Sequence, residues 1–209
     1  GEGILTTAVG MTVAPRSSKS VASSTRFTPN VFGEAAVSRR PGSELLRGKL
    51  VNPLPVDLLD GMLVYGNWVY LLPTRVPAGA SVGNLNELRQ KNFRWKLTRQ
   101  QSGEENVTET TPWSPGDFSD AARVAEMLLF HRSAGAELYT GLRHDVLGEL
   151  DLSEVLIEDR CMLIGRTKNP VFDLSITSGE WQPEDTVHPG GNVLSMVRLV
   201  MPVRVTRLN

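Results

Sequence analysis

Apolar residues along much of this chain recur at every second position, which is the period of a β-strand with one buried face. The alternation is clear at 5–13, 172–176 and 193–205, and the segments 46–52 and 160–167 are also typical of strands. With 19 Gly and 13 Pro among 209 residues, the chain is rich in residues that form turns. The pattern predicts a mainly β protein with about seven to nine short strands.

The strongest local pattern lies at 45–72. Two apolar arms, 62–65 and 68–72, flank the dipeptide Gly66-Asn67. Such a dipeptide favours a tight hairpin turn, because glycine adopts positive φ without steric cost. Both arms are apolar on both faces, so the pattern predicts a hairpin in the middle of the fold that is covered on each side.

One segment has the period of a helix. Apolar positions over 118–129 fall on one helical face, and Asp117 or Ser119 precedes them as a possible N-cap. The pattern predicts a helix that ends near His131 or Arg132 and is stopped by Gly135.

Three elements are predicted in the segment before that helix. Residues 84–92 are predicted as a short helix or helical turn. Phe93, Trp95 and Leu97 alternate with polar residues, which predicts a strand with one solvated face. The polar and acidic segment 100–112 is predicted as a flexible loop.

The order of these elements favours one fold class. Strands do not alternate regularly with helices, which argues against a doubly wound α/β sheet. We predict a single domain over 1–209, a β-sandwich of the immunoglobulin-like or a related kind. We expect a helical insertion around 117–143, within the segment 113–143.

Charge and composition narrow the function classes. The 22 basic and 23 acidic residues give a net charge of −1, which disfavours a nucleic-acid partner. No apolar run approaches the roughly 20 residues that span a bilayer. The chain opens at Gly1 without an initiator Met, so we expect a soluble piece of a longer polypeptide. Any membrane contact is then expected through segments outside this chain.

Motifs for catalysis, metals or cofactors are missing from the sequence. His131, His144 and His188 lie far apart, without metal-ligand spacing. His144 and Asp145 could form a ligand pair, but a solvated loop is the favoured interpretation, so neither a metal nor a cofactor is expected. Cys161 lies in an apolar run and is predicted to be a buried structural thiol. Nucleophile-elbow, P-loop and dinucleotide motifs are not found, yet a hydrolase without such motifs stays open as an alternative.

The four tryptophans are the candidates for ligand contact. Trp68 and Trp95 lie in predicted strands and are interpreted as core residues. Trp113 and Trp181 lie at loop edges, each close to a proline, where an indole face could stack on a sugar. They are our candidate ligand-binding residues, and a glycan would be the partner in that hypothesis.

Several short segments of the chain form a recognisable pattern. They are LVNPLPVDL (50–58), VYGNWVYL (64–71) and VPAGASV (76–82), and more loosely LDLS (150–153), LIGR (163–166) and VMPVR (200–204). In these segments the chain resembles domains of large, uncharacterised bacterial membrane-anchored proteins. The resemblance implies an extracytoplasmic β-sandwich, in the periplasm or cell envelope, with membrane segments elsewhere in the protein. It brings no catalytic residues.

These observations lead to one expectation and two alternatives. We expect a non-catalytic interaction or assembly domain that contacts protein partners or neighbouring domains of the same polypeptide. A carbohydrate-binding module that uses Trp113 and Trp181 is the first alternative. The hydrolase is the second.

Overall fold

A computed structural model describes most of the chain between residues 37 and 204. Its residues are 37–101, 110–116, 119–143, 148–156, 159–168, 176–177, 186–187 and 195–204. Backbone contacts divide the chain into two units, Gly1–Val31 and Phe32–Asn209, and every described residue belongs to the second. The strand predicted at 5–13 lies outside the described residues, and the prediction of one domain over 1–209 stays a prediction.

The described residues form short strands and a few short helices. In chain order the strands are β1 (Val37–Arg39), β2 (Leu46–Val51), β3 (Leu58–Tyr65), β4 (Trp68–Leu71), β5 (Arg75–Val76), β6 (Ser81–Asn84), β7 (Arg89–Asn92), β8 (Arg99–Gln101), β9 (Thr110–Pro112), β10 (Arg160–Thr167), β11 (Ile176–Thr177), β12 (Thr186–Val187) and β13 (Ser195–Pro202). The α-helices are α1 (Phe93–Leu97), α2 (Ala121–Leu129) and α3 (Ala136–Thr140). Short 3₁₀ turns lie at Leu85–Glu87, Gly148–Leu150 and Ser153–Val155.

Nine of these strands build two antiparallel sheets. The three-stranded sheet has the order β1-β2-β6, and the six-stranded sheet has the order β13-β10-β3-β4-β7, with β5 beside the start of β3. The remaining four strands pair as β8–β9 and β11–β12. The architecture is mainly β and sandwich-like, which confirms the predicted fold class.

The predicted central hairpin is β3 and β4. Tyr65 pairs with Trp68 across the turn, where Gly66 has a φ of 51°. Leu63 of β3 packs into one hydrophobic core, and Met62 and Val64 pack into another. Because successive side chains of a strand point to opposite faces, β3 is covered on both sides, as predicted.

The two cores place the six-stranded sheet between two layers. The first core lies between the sheets and includes Leu46 and Leu50 of β2, with Leu63, Tyr70 and Leu163 from the larger sheet. The second core lies on the other face of the larger sheet. It is built from the buried residues Met62, Val64, Val69, Phe93, Leu97, Trp113, Met127, Phe130, Ala134, Met162 and Ile164. The helices α1 and α2 therefore cover the face that the three-stranded sheet leaves open.

Beyond the end of β13, the chain leaves the larger sheet and pairs with β1 of the smaller sheet. The amide of Arg39 donates to the carbonyl of Arg204 at 2.9 Å, and the amide of Arg204 donates to the carbonyl of Val37 at 3.1 Å. Pro202 is the last residue of β13, which is the terminal strand of its sheet among the described residues. An edge position suits this proline, since proline has no N–H to donate to a further strand.

The strand predicted at Phe93, Trp95 and Leu97 is wrong, because these residues form α1. The side-chain oxygen of Asn92 accepts a hydrogen bond of 3.1 Å from the amide of Trp95, which caps the helix. Phe93 and Leu97 are four residues apart and both buried, so the same spacing suits one helical face. The helix predicted over 84–92 is reduced to the 3₁₀ turn, and β7 takes its second half.

The helical insertion around 117–143 is present as α2 and α3. Asp120 caps α2 by accepting a hydrogen bond of 3.0 Å from the amide of Arg123, in place of the predicted Ser119. Asp117, the other predicted cap, lies outside the described residues. The helix ends at Leu129, earlier than predicted, and Gly135, with a φ of 96°, leads into α3.

The predicted loop at 100–112 has paired ends. Gln100 of β8 lies opposite Thr111 of β9, and the pairing includes Arg99 and Pro112. Residues 102–109 lie outside the described residues. Within the part of the chain that the structure describes, no helix has both the length and the apolar character needed to cross a membrane.

Candidate functional site

Trp113, one of the two predicted ligand-binding residues, is part of the second core. Its side chain is only 5% exposed, and its Nε1–H donates a hydrogen bond of 2.9 Å to the carbonyl oxygen of Thr140. A buried indole has no open face on which a sugar could stack. Trp181 lies outside the described residues, so its role stays a prediction.

The other two tryptophans are half-buried. Trp68 packs against the first core, in line with the sequence interpretation. Trp95 belongs to neither core among the described residues, and the Nζ atom of Lys91 lies 4.2 Å from the centre of its ring. Trp95 therefore pairs with a cation at the surface of α1.

His131, which the sequence places near the end of the helix, lies just beyond α2 and is buried. Its Nε2 lies 2.8 Å from the carbonyl oxygen of Leu142. The cause is the early end of α2, after which the chain turns and returns over this ring. His144 and His188 lie outside the described residues. In the described part of the chain, no group of three or more His, Cys, Asp or Glu residues could hold a metal ion.

Cys161 has the predicted structural role. The thiol is buried in β10, and its Sγ–H donates to the carbonyl oxygen of Met201 at 3.7 Å. Burial raises the pKa of this thiol to about 12. Because the thiolate is the reactive form, Cys161 is unreactive at neutral pH.

A polar cleft with a volume of about 490 Å³ lies among the described residues. It is lined by Asn67, Asn92, Phe93, Arg94, Arg132, Ser133 and Ser153. We refer to these seven residues as the polar cleft. They come from the hairpin turn, the start of α1, the connection between α2 and α3, and the last 3₁₀ turn.

Hydrogen bonds donated by backbone amides hold the walls of the polar cleft together. The amide of Phe93 donates to the carbonyl oxygen of Asn67 at 2.8 Å, which ties α1 to the hairpin turn. On the opposite wall, the amide of Ser133 donates to Oγ of Ser153 at 3.0 Å. Since each wall is tied by a bond between distant parts of the chain, the cleft is a pre-formed feature.

The electrostatics of the polar cleft are set by two arginines. Arg132 is paired with Glu154 at 2.8 Å and with Asp151 at 3.5 Å, and neither acid lines the cleft. The guanidinium of Arg94 lies over the ring of Tyr139, 5.2 Å from its centre. The described lining contains no carboxylate, and because Arg132 is already neutralised by two acids, the positive charge of the lining comes from Arg94.

A smaller pocket of about 130 Å³ shares Asn67 with the polar cleft. Its other lining residues are Arg39, Glu44, Tyr65, Gly66, Trp68 and Leu156. The turn of the central hairpin therefore contributes to both concave features. Trp68, which the sequence predicts as a core residue, also lines this pocket, and that position was not predicted.

Beside the polar cleft, α3 exposes two large side chains, Leu138 and Tyr139, which are 89% and 53% exposed. We call them the apolar pair. Their helix is firmly held, because Thr140 is buried and its carbonyl oxygen accepts the hydrogen bond from Trp113. A Cβ atom added to Gly135 would lie 2.5 Å from Cδ2 of Tyr139, so that ring rests on the glycine.

A partly buried charge cluster joins α1 to α2. Nη1 of Arg123 donates to Oε2 of Glu126 at 2.8 Å and to the carbonyl oxygen of Lys96 at 3.1 Å. Burial, together with the nearby charge of Arg123, lowers the pKa of Lys96 to about 8. Nε of Arg123 is buried without a hydrogen-bond partner among the described residues.

Comparison with known proteins adds no relative. The chain has no significant match among protein-family models, curated protein sequences or solved structures. Its function is therefore argued from the polar cleft and the apolar pair. Neither feature was predicted from the sequence, because Asn67, Arg94 and Arg132 lie far apart in the chain and form no recognisable motif.

Proposed function

We propose that this chain is a non-catalytic interaction or assembly domain of a membrane-anchored bacterial protein, located outside the cytoplasm. Its partners would be other proteins or neighbouring domains of the same polypeptide. The observation that carries the proposal is the apolar pair, Leu138 and Tyr139, on a helix whose own position is fixed. The extracytoplasmic location rests on the resemblance of the segments at 50–58, 64–71 and 76–82.

The rigidity of α3 favours an interface over a poorly packed surface. Gly135 and Gly141 have φ values of 96° and 65°. This left-handed conformation, which favours glycine, bounds the helix at both ends. When a partner covers a large exposed apolar side chain, the free energy falls by about 25 cal/mol for each Å² of apolar surface removed from water. Exposed apolar side chains on a rigid scaffold are typical of protein contact sites.

The carbohydrate-binding alternative has lost one of its two candidate residues. Trp113 donates to Thr140 inside the second core and is closed to a ligand. The interaction domain needs no catalytic group and uses the surface that the structure describes. We therefore retain it as the proposed function.

Site-directed photo-crosslinking in the source cell tests the interaction. A photoreactive amino acid in place of Leu138 is expected to give one dominant adduct with a protein partner, or a crosslink within the full-length polypeptide. The same amino acid in place of Arg47, which is exposed on β2, serves as the matched control and is expected to give none. Equal adduct patterns from both positions would refute the interaction surface.

A second experiment tests the location. The substitution Leu138→Cys introduces an exposed thiol, whereas the natural Cys161 is buried. A membrane-impermeable maleimide is expected to label the variant in intact spheroplasts. Labelling only after lysis would contradict the extracytoplasmic location and leave the interaction to be judged by crosslinking.

A further inference from the structure

The polar cleft holds hydrogen-bond donors that are not used within the described structure. The side-chain amide of Asn67, the Oγ of Ser133 and the guanidinium of Arg94 accept or donate no hydrogen bond among the described residues. Asn92 uses only its side-chain oxygen, which accepts from Trp95, so its NH₂ group is also available. Four donor groups from three separate elements thus line one space of about 490 Å³.

The charge of the cleft favours an anionic ligand. Arg94 is exposed and has no carboxylate partner among the described residues, while Arg132 already has two. A guanidinium next to amide and hydroxyl donors matches the acceptor oxygens of a carboxylate. A cationic ligand would find no carboxylate in the described lining to pair with.

The surroundings of the cleft select a peptide over a small free anion. Tyr139 lies under Arg94, so the apolar pair begins where the charged wall of the cleft ends. A segment that places an acidic side chain against Arg94 would bring its next residues towards Tyr139 and the neighbouring Leu138. Such an arrangement, with polar contacts beside an apolar contact, is common at protein interfaces.

We infer that the polar cleft binds the carboxylate side chain of an acidic segment in a partner protein, and that the apolar pair contacts an apolar residue of the same segment. Arg94 pairs with the carboxylate, and Asn67, Asn92 and Ser133 donate to its oxygens. The inference rests on the proposed function and assigns the chemistry of the partner. The expected segment carries Asp or Glu within a few residues of a large apolar side chain.

The test uses the whole chain as bait for a displayed library of random peptides, each about twelve residues long, roughly the length that lies across a cleft and its rim. Selected sequences are expected to be enriched in Asp or Glu beside Leu, Ile, Phe or Trp. Dissociation constants are then measured by fluorescence anisotropy for selected peptides and for matched peptides with Asn or Gln in place of Asp or Glu. Affinity should fall as salt rises, because exposed charges are screened.

Two variants of the chain locate the binding site. Arg94→Gln is expected to weaken binding about 10- to 100-fold, the range for a hydrogen bond to a charged group. Arg47→Gln removes an exposed arginine from the three-stranded sheet and should change the affinity less than about twofold. Thermal unfolding of each variant confirms that the fold is intact.

The outcomes separate the inference from the proposed function. Selected peptides that bind Arg94→Gln as well as the natural chain would overturn the cleft as their site, while the interaction domain would stand. Enrichment without acidic residues, or no enrichment, would also overturn the inference, and photo-crosslinking at position 138 would then decide the proposed function by itself. Displacement of the peptide by millimolar inorganic phosphate, together with equal binding of the matched uncharged peptide, would show a site for small anions and refute a peptide carboxylate site.

Discussion

The hydroxyl oxygen of Tyr70 accepts a hydrogen bond of 2.6 Å from the backbone amide of Leu46, and both residues are fully buried between the two sheets. Tyr70 lies in β4 of the larger sheet, and Leu46 begins β2 of the smaller one. A polar bond thus crosses an otherwise apolar core. It fixes the position of one sheet relative to the other, because a buried donor left without an acceptor is costly.

Tyr70→Phe is expected to destabilise the fold by about 1–3 kcal/mol, the cost of leaving the buried amide of Leu46 unsatisfied. Denaturation in urea measures the free energy of unfolding. Tyr139→Phe is the matched control, because that hydroxyl is on an exposed side chain and its loss should have little effect. Equal stability of the two variants would contradict the role of the cross-sheet bond.

Asn52 is a second buried polar residue on which the fold depends. Its Nδ2, which carries two hydrogens, lies 3.0–3.1 Å from the carbonyl oxygens of Val56, Val76 and Pro77, and its Oδ1 accepts from the amide of Leu54 at 3.1 Å. One side chain thereby ties together the loops that follow β2 and β5.

We expect Asn52→Ala to lower the free energy of unfolding by about 2–4 kcal/mol, since several buried groups lose their partners together. Asn84→Ala, at an exposed position, should cost less than about 0.5 kcal/mol. A melting temperature for Asn52→Ala equal to that of Asn84→Ala would refute this account.

Lys96 makes stability depend on pH in a defined direction. Burial lowers its folded-state pKa from 10.5 to about 8, so the unfolded chain binds its proton more tightly. Below pH 8 both states are protonated and the folded state carries the full cost of the buried charge. Between pH 8 and 10.5 the unfolded state holds more protons, and this group's contribution to stability rises with pH.

Lys96→Met should therefore stabilise the fold at pH 7 by about 1–3 kcal/mol. The difference from the natural chain should shrink as the pH rises through the window from 8 to 10.5. Urea denaturation at a series of pH values measures it. Lys49→Met, at an exposed position of β2, removes no buried charge and should show no such trend. A difference independent of pH for Lys96→Met would show that its charge is not penalised in the fold.

Gly135 positions the apolar pair through its backbone. It has a φ of 96°, and an added Cβ would lie 2.5 Å from Cδ2 of Tyr139. Gly135→Ala is expected to cost about 1–3 kcal/mol, from the strained φ and the displaced ring. Gly148→Ala is the control, because a Cβ there meets no atom within 4 Å.

The double variant Gly135→Ala with Tyr139→Ala separates the two causes. Truncating the ring removes the steric overlap but leaves the backbone strain, so part of the lost stability should return. Thermal unfolding of the two single variants and the double variant gives the coupling energy. Strict additivity would show that the ring does not rest on this glycine.

The sequence predicts the centre of the fold better than its surface. The β3–β4 hairpin was predictable because its arms are apolar on both faces, and only a strand between two layers has that pattern. The fold class was predictable from the order of the elements, since strands do not alternate regularly with helices. The segment 93–97 was not predictable, because Phe93 and Leu97 satisfy both a strand alternation and the spacing of one helical face.

The candidate site lay beyond the reach of the sequence. Asn67, Arg94, Arg132 and Ser153 each have a local reason to be polar, in a turn, at a helix or in a loop. Only the packing of α1 and of the α2–α3 connection against the hairpin turn brings them together. The four tryptophans gave the clearer pattern, yet Trp113 proved to be a core residue because its N–H has a buried acceptor.

The pairing of Arg204 with Val37 and Arg39 has a consequence for the order of events during synthesis. Val37 and Val203 both belong to the first core, although almost the whole described chain separates them. The ribosome releases the earlier strand long before the residues that complete its packing. Contacts of such long sequence separation slow folding, so the β3–β4 hairpin can form early while the interior closes only once residue 204 has emerged.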